Sequence, residues 1–306
     1  MSSMLKRVCL AILLLLSVSS QVRAAEILAV LSSPAEPYLV ARKAFEQHFN
    51  TMAPGRGLKT IQPHIIRSVT LTQDEQDDAL GTAVVERRPD FIVALGSRAL
   101  SRSVQLPGKI PVIYLLVPSP EKILPADHQA TGVLLQPRPG AEFRALHDLL
   151  PTLQRVGVVY NPAHTGDLIA ATLANSKNFT FVLQPVNRSQ EVAERLADLA
   201  GRVDLVWLPP DQTILAPQAE KSFYLFSLQH KVPLLAFSEK YLSRGASLAV
   251  RLDIDEMSRK AAMLAQLIQN GADAARITPL VMEKVQLRQN SLILNKLKST
   301  RQEVSP

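Results

Sequence analysis

What most constrains this chain is a rhythm. Short runs rich in Val, Ile and Leu return along its whole length, with an amphipathic stretch between one run and the next. The runs at 27–31, 91–95, 112–117, 156–160, 179–183, 205–208 and 234–237 are almost continuously apolar instead of alternating. A strand reads that way when both of its faces are covered, which is the condition of a parallel sheet with helices on either side. The stretches between them predict helices over 35–49, 74–87, 140–150, 165–176, 189–199 and 256–270. In the third of these, Phe143, Leu146, Leu149 and Leu150 mark a buried face by their three-and-four spacing, and Glu142 reads as a solvent-side member. In the last, Met257, Ala261, Leu264, Ala265 and Ile268 do the same, and Gly271 supplies a stop. Strand and helix alternate throughout, so the fold class is α/β.

The order of the pieces repeats. DFIVAL at 90–95 is followed by KIPVI at 109–113, and DLVWL at 204–208 is followed by KVPLL at 231–235. ILAVLSSP at 27–34 opens the first half as VGVVYNP at 156–162 opens the second. Two similar halves of this kind predict two doubly wound, Rossmann-like lobes. No Gly- or Ser-rich tether separates them; TGVLL at 131–135 runs straight into the second half, and 243–252 has the look of a returning strand. Several short crossings make a hinge. With three crossings, near 135, 240 and 284, the first lobe takes 26–135 plus 245–283, and the second takes 136–244 plus 284–301. Residues 302–306 read as a frayed tail.

The first 25 residues read as a secretory signal. Lys6 and Arg7 precede an apolar run over 8–16, and small and polar residues lead to Ala24. That run falls short of the roughly 20 apolar residues a bilayer-spanning helix needs. Cleavage is expected after Ala24 or Ala25, with delivery to the periplasm. The single cysteine, Cys9, leaves with the leader, so the mature chain has no disulfide, thiolate metal site or cysteine nucleophile. Of 34 Lys and Arg against 27 Asp and Glu, Lys6, Arg7 and Arg23 go too. The mild cationic excess that remains is scattered, which argues against a nucleic-acid partner. The six histidines, at 48, 64, 128, 147, 164 and 230, show no metal-ligand spacing. There is no nucleophile elbow, Walker loop or dinucleotide fingerprint, so neither an enzyme nor a cofactor is expected.

At this point the residues become familiar. Leu31-Ser32-Ser33 with Glu36-Pro37-Tyr38, Ala94-Leu95-Gly96-Ser97, Gly157 to Pro162, Leu208 to Thr213, Pro233 to Ser238 and Gly245-Ala246 stand in an order that resembles the ABC-transporter substrate-binding family of tryptophan/tyrosine type. The resemblance covers nearly the whole mature chain. It implies a type I periplasmic-binding fold, two doubly wound lobes on a three-crossing hinge that closes on a ligand. It also implies a partner permease and its ATPase in the inner membrane, and an amino acid or similar small solute as ligand; a monomer is expected. The chain departs from the family pattern at Ala163-His164-Thr165, at Val117-Pro118-Ser119-Pro120 and at Ser258. A ligand sensor or receptor-associated subunit is therefore the second reading, and a periplasmic hydrolase the third.

In open α/β sheets ligands lie beyond the carboxyl ends of the strands. Ser32, Ser33, Gly96 and Ser97 could present hydroxyls and N–H groups there, and equally could cap helices. From the second lobe, Asp211 could meet a ligand ammonium, with Thr213 adding a hydroxyl, or could itself be an N-cap. Asn161 and Thr165 are candidates of the same kind, and Ser238 and Glu239 lie beside the presumed hinge. Tyr38 is the aromatic expected in the pocket, whereas Trp207 is expected in the core. Asp253 and Asp255 are read as caps for the helix that follows them.

Overall fold

The continuous apolar runs become parallel strands in the computed structural model, which describes residues 25–52, 65–72 and 79–302. Of the expected leader over 1–25 and the expected tail over 302–306, residues 1–24 and 303–306 lie outside the described residues. In the first half the chain runs β1 (Glu26–Leu31), α1 (Glu36–Thr51), β2 (Ile65–Thr70), α2 (Ala79–Arg87), β3 (Phe91–Leu95), α3 (Ser97–Val104), β4 (Val112–Leu115) and β5 (Ala130–Pro137). It continues with α4 (Ala141–Leu149), β6 (Arg155–Tyr160), α5 (Pro162–Ala174), β7 (Thr180–Pro185), α6 (Val192–Ala197), β8 (Leu205–Leu208), α7 (Pro217–His230), β9 (Leu234–Ala236) and β10 (Leu248–Arg251). It ends with α8 (Ile254–Gln269), β11 (Leu280–Met282), β12 (Gln286–Gln289) and α9 (Ser291–Gln302).

These strands form two six-stranded sheets, in the orders β11-β5-β4-β3-β1-β2 and β12-β10-β9-β8-β6-β7. Every pairing is parallel except that of β12 with β10. The internal repeat is thus a repeat of topology. β1 to β5 wind through the first sheet in the same order as β6 to β10 wind through the second, and each sheet reverses direction beside its first strand.

Strand β3 shows why the runs are continuous. Phe91, Val93 and Leu95 pack on one face with α1 and α8, where Phe45 stacks on Phe49 at 5.6 Å and Met257, Ala261 and Leu264 close the layer. Ile92 and Ala94 pack on the other face with Leu100 and Tyr114. Both faces are dry, so no position along the strand tolerates a polar side chain.

Two expectations need correction. Residues 245–283 were expected with the first lobe, but β10 pairs with β9, and the chain crosses between sheets only after Arg251. Ser247 secures this assignment: its N–H donates to Leu234 O at 3.1 Å, and its Oγ accepts the Leu234 N–H at 3.1 Å. A short apolar strand fits either sheet by composition, and the open edge of β9 decides which one takes it. The second correction concerns Glu142, which was expected to face solvent and is 7% exposed.

Candidate functional site

The carboxyl ends of the two sheets face a common cavity of about 600 Å³. The first lobe contributes Leu116 and Pro118, just past β4. The crossing segments contribute 135–137 and Pro139 on one side, and Leu252 and Ile254 on the other. The second lobe contributes His164, Thr165 and Leu168 of α5, Trp207 and Pro210 around β8, and Phe237, Ser238 and Glu239 after β9. The walls are mostly apolar. No Lys or Arg is among the lining residues, whereas two carboxylates, Glu142 and Glu239, are.

Glu142 reaches the cavity because of how α4 begins. β5 ends at Pro137, and the N-cap of α4 is Gly140, in the left-handed region with φ 85°. A Cβ at Gly140 would lie 2.8 Å from Ser176 Oγ and 2.9 Å from Asn175 Cβ, so the backbone presses directly on the end of α5. One turn of helix then sends Phe143 into an aromatic cluster, edge-on to Phe181 and to Trp207 at 5.1 Å each. Glu142, one residue earlier, lines the cavity. Burial pushes its carboxyl up to about 7, and nearby N–H groups of Glu142 and Gly140, with the Arg144 guanidinium, offset this only in part. Arg144 itself donates to Glu283 O at 3.0 Å. Glu239, by contrast, is served by Arg288 at 3.2 Å and Arg251 at 3.9 Å. Trp207 also lines the cavity, and its buried indole N–H finds no acceptor among the described residues.

Of the residues singled out from sequence, Thr165, Ser238 and Glu239 line this cavity. Asp211 does not. It is fully buried: Oδ2 accepts the Asn161 N–H at 2.7 Å and the Thr165 hydroxyl at 2.6 Å, and Oδ1 accepts the Thr213 N–H at 2.8 Å. These three bonds tie the loop after β8 to the loop after β6. Asn161 caps α5 by accepting the Ala163 N–H at 3.0 Å and donates to Thr213 Oγ1 at 2.9 Å. Thr213 Oγ1 also lies 3.0 Å from His164 Nδ1. The five residues form one knot at the second-lobe rim.

The first-lobe residues form a separate group beyond β1 and β3. Ser32 Oγ accepts the Ala99 N–H at 2.9 Å, capping α3 from a neighbouring strand. Gly96, with φ 92°, sits so close to Ser32 and Tyr38 that a Cβ would come within 2.6 Å of Ser32 Oγ and 2.7 Å of the Tyr38 hydroxyl. Ser33 Oγ accepts the Ala35 N–H at 3.4 Å, and Ser97 opens α3. None of these five lines the cavity. Asp253 caps α8, accepting the Glu256 N–H at 3.0 Å, as expected.

Sequence reasoning missed Glu142, although a signal was present. Glu142 precedes the fully buried Leu146 by four positions, so the helical period puts it on the covered side of α4. Trp207 was read as core; it is 2% exposed, but it also forms cavity wall.

Residues 56–305 match the family described as ABC transporter substrate binding protein. A tyrosine-binding protein of Clostridioides difficile is 22% identical over 237 residues, covering 70% of this chain and 66% of that protein, just under two thirds of its length. The ligand-free, open structure of a substrate binding protein with adhesive properties from Clostridium difficile matches with a TM-score of 0.63 at 16% identity, covering 89% of this chain and 94% of that one. That likeness is one of fold, and it agrees with the two doubly wound lobes expected from sequence.

Proposed function

The chain belongs to the ABC transporter substrate binding protein family, and from that premise we propose that it is the solute-binding component of an importer, taking an amino acid or a similar small solute between its lobes. The observation that carries the reading is the cavity of about 600 Å³ at the carboxyl ends of both sheets, walled in part by the segments that cross between the lobes. Small-molecule sites usually fall between about 300 and 1,000 Å³, mostly apolar with a few convergent polar groups. A relative named as tyrosine-binding supports the amino-acid class.

In this reading the ligand enters against the second-lobe wall, where Thr165, Ser238 and Glu239 face it. Hinge closure then brings over the first-lobe rim of Ser32, Ser33, Tyr38, Gly96 and Ser97. The closed form is what a permease and its ATPase recognise, and the periplasm is where the encounter takes place. Binding without turnover is the proposed activity.

The test is a thermal-shift and calorimetric screen of the mature protein against the common amino acids, short peptides and purines. A ligand at one hundred times its dissociation constant stabilises the fold by about 2.7 kcal/mol, a readily measured shift. Absence of any shift across the panel overturns the reading.

A further inference from the structure

The cavity is lopsided in charge. Its lining holds two carboxylates, one imidazole and no cationic side chain. Glu239 already has Arg251 and Arg288 as counter-charges. Glu142 is 7% exposed, lines the cavity, and receives no hydrogen bond or ion pair from the side chain of any other described residue. Arg144 acts on it only through space, and burial favours its protonated form; a cation brought into the cavity favours the ionised one. Resting on the proposed solute-binding function, we propose that the Glu142 carboxylate is the counter-charge for the ligand's ammonium group, and that the apolar wall of Leu135, Leu168, Trp207 and Phe237 takes the ligand's hydrophobic body.

The ligand class this selects is a primary amine carried on an apolar or aromatic frame, not a sugar or a polyanion. Asp211, the carboxylate expected to play this part, is spent on Asn161, Thr165 and Thr213. Glu142 is reached instead from the crossing segment that ends at Gly140, so the group that senses the ligand sits on a hinge strand's continuation. Filling the site with a cation therefore acts directly where the lobes are joined.

A coupling to protons follows. The Glu142 carboxyl is pushed up to about 7 by burial, and an ammonium placed against it restores the ionised form. Ligand uptake near neutrality then releases a proton, and affinity falls as pH drops below 7. With that value about 3% of the carboxyl is ionised at pH 5.5 and about 90% at pH 8, so affinity declines about 30-fold between them. The other titratable groups on the surrounding elements are His147, edge-on to Phe179, and Asp148 on α4; His164, beside Thr213 and Asp211, and Asp167 on α5; Arg144 on α4, bonded to Glu283 O; Glu283, paired with Arg138; Lys284 before β12; and Arg251 and Arg288 with Glu239. Of these, His164 and Glu239 line the cavity with Glu142.

Calorimetry on the full chain decides it, with L-tyrosine, L-tryptophan and tyramine as amine probes and 3-(4-hydroxyphenyl)propanoate as the amine-free control. The expected result is binding of at least one amine probe, no comparable binding of the control, and an affinity loss of tenfold or more in Glu142→Gln at pH 8. Wild type also shows the 30-fold pH decline, and buffers of different ionisation enthalpy report proton release; Glu142→Gln shows neither. Equal binding by wild type and E142Q, or a pH dependence that survives in E142Q and so belongs to another group, overturns the assignment of Glu142 while leaving the binding function standing. Failure of every probe, and of the wider panel, overturns both. The wild-type pH series and proton count need no variant, so a poorly folding E142Q does not shelter the idea.

Discussion

Glu142→Gln has a consequence that needs no ligand. In the folded chain burial raises the Glu142 carboxyl from its ordinary 4.5 to about 7. The folded state therefore holds this proton more tightly than the unfolded state does. Below pH 4.5 both states are protonated and the burial carries no ionisation penalty. As pH rises from 4.5 to 7 the unfolded chain gains from ionising before the folded chain can, and stability is lost; above 7 the loss is complete. At 1.36 kcal/mol per unit the loss is about 3 kcal/mol. Glutamine has nearly the same shape and does not titrate, so the variant escapes this decline. The advantage of E142Q over wild type should grow by about 3 kcal/mol between pH 4.5 and 7.5, worth roughly 5–10 °C in melting temperature for a chain of this size. Titrations elsewhere in the protein are common to both and cancel in the difference. Urea unfolding followed by the fluorescence of Trp207, the only tryptophan, gives the comparison directly at pH 4.5, 6 and 7.5. A difference between the two proteins that stays flat across this range refutes the reasoning, since it means the carboxylate is already solvated or paired.

Asp211→Ala removes the acceptor for two backbone N–H groups and one hydroxyl, and should cost the second lobe about 3 kcal/mol or more in urea unfolding, an effect on folding before any on ligand. Gly96→Ala forces a side chain into the left-handed region and into Ser32 and Tyr38; a loss of at least about 1–2 kcal/mol is expected, measured as a drop in melting temperature. Phe143→Ala empties the centre of the cluster with Phe179, Phe181 and Trp207, and should destabilise by about 3–5 kcal/mol, with Trp207 emission shifted to longer wavelength.

The candidate site was half legible. The positions beyond β1, β3, β6 and β8 could be named because strand ends are readable and ligands gather there. What could not be read was how the polar groups at those ends pair among themselves. Ser32 and Asn161 turn out to hold helix starts together. Asp211 looks, in sequence, like any carboxylate after a strand; only its complete burial against the Asn161 and Thr213 N–H groups shows that it does not face the cavity.

Local order along the chain was enough to establish two parallel α/β halves, because a strand covered on both faces must be apolar at consecutive positions and β3 obeys that rule residue by residue. It was also enough to establish that the halves repeat. Which sheet receives Leu248–Arg251, and whether Glu142 meets water or a cavity, were settled by contacts between separate elements: the free edge of β9 for the strand, and the pressing of Gly140 on the end of α5 for the carboxylate. Periodicity records that a position is covered. What covers it depends on which separate elements come together, which composition does not encode.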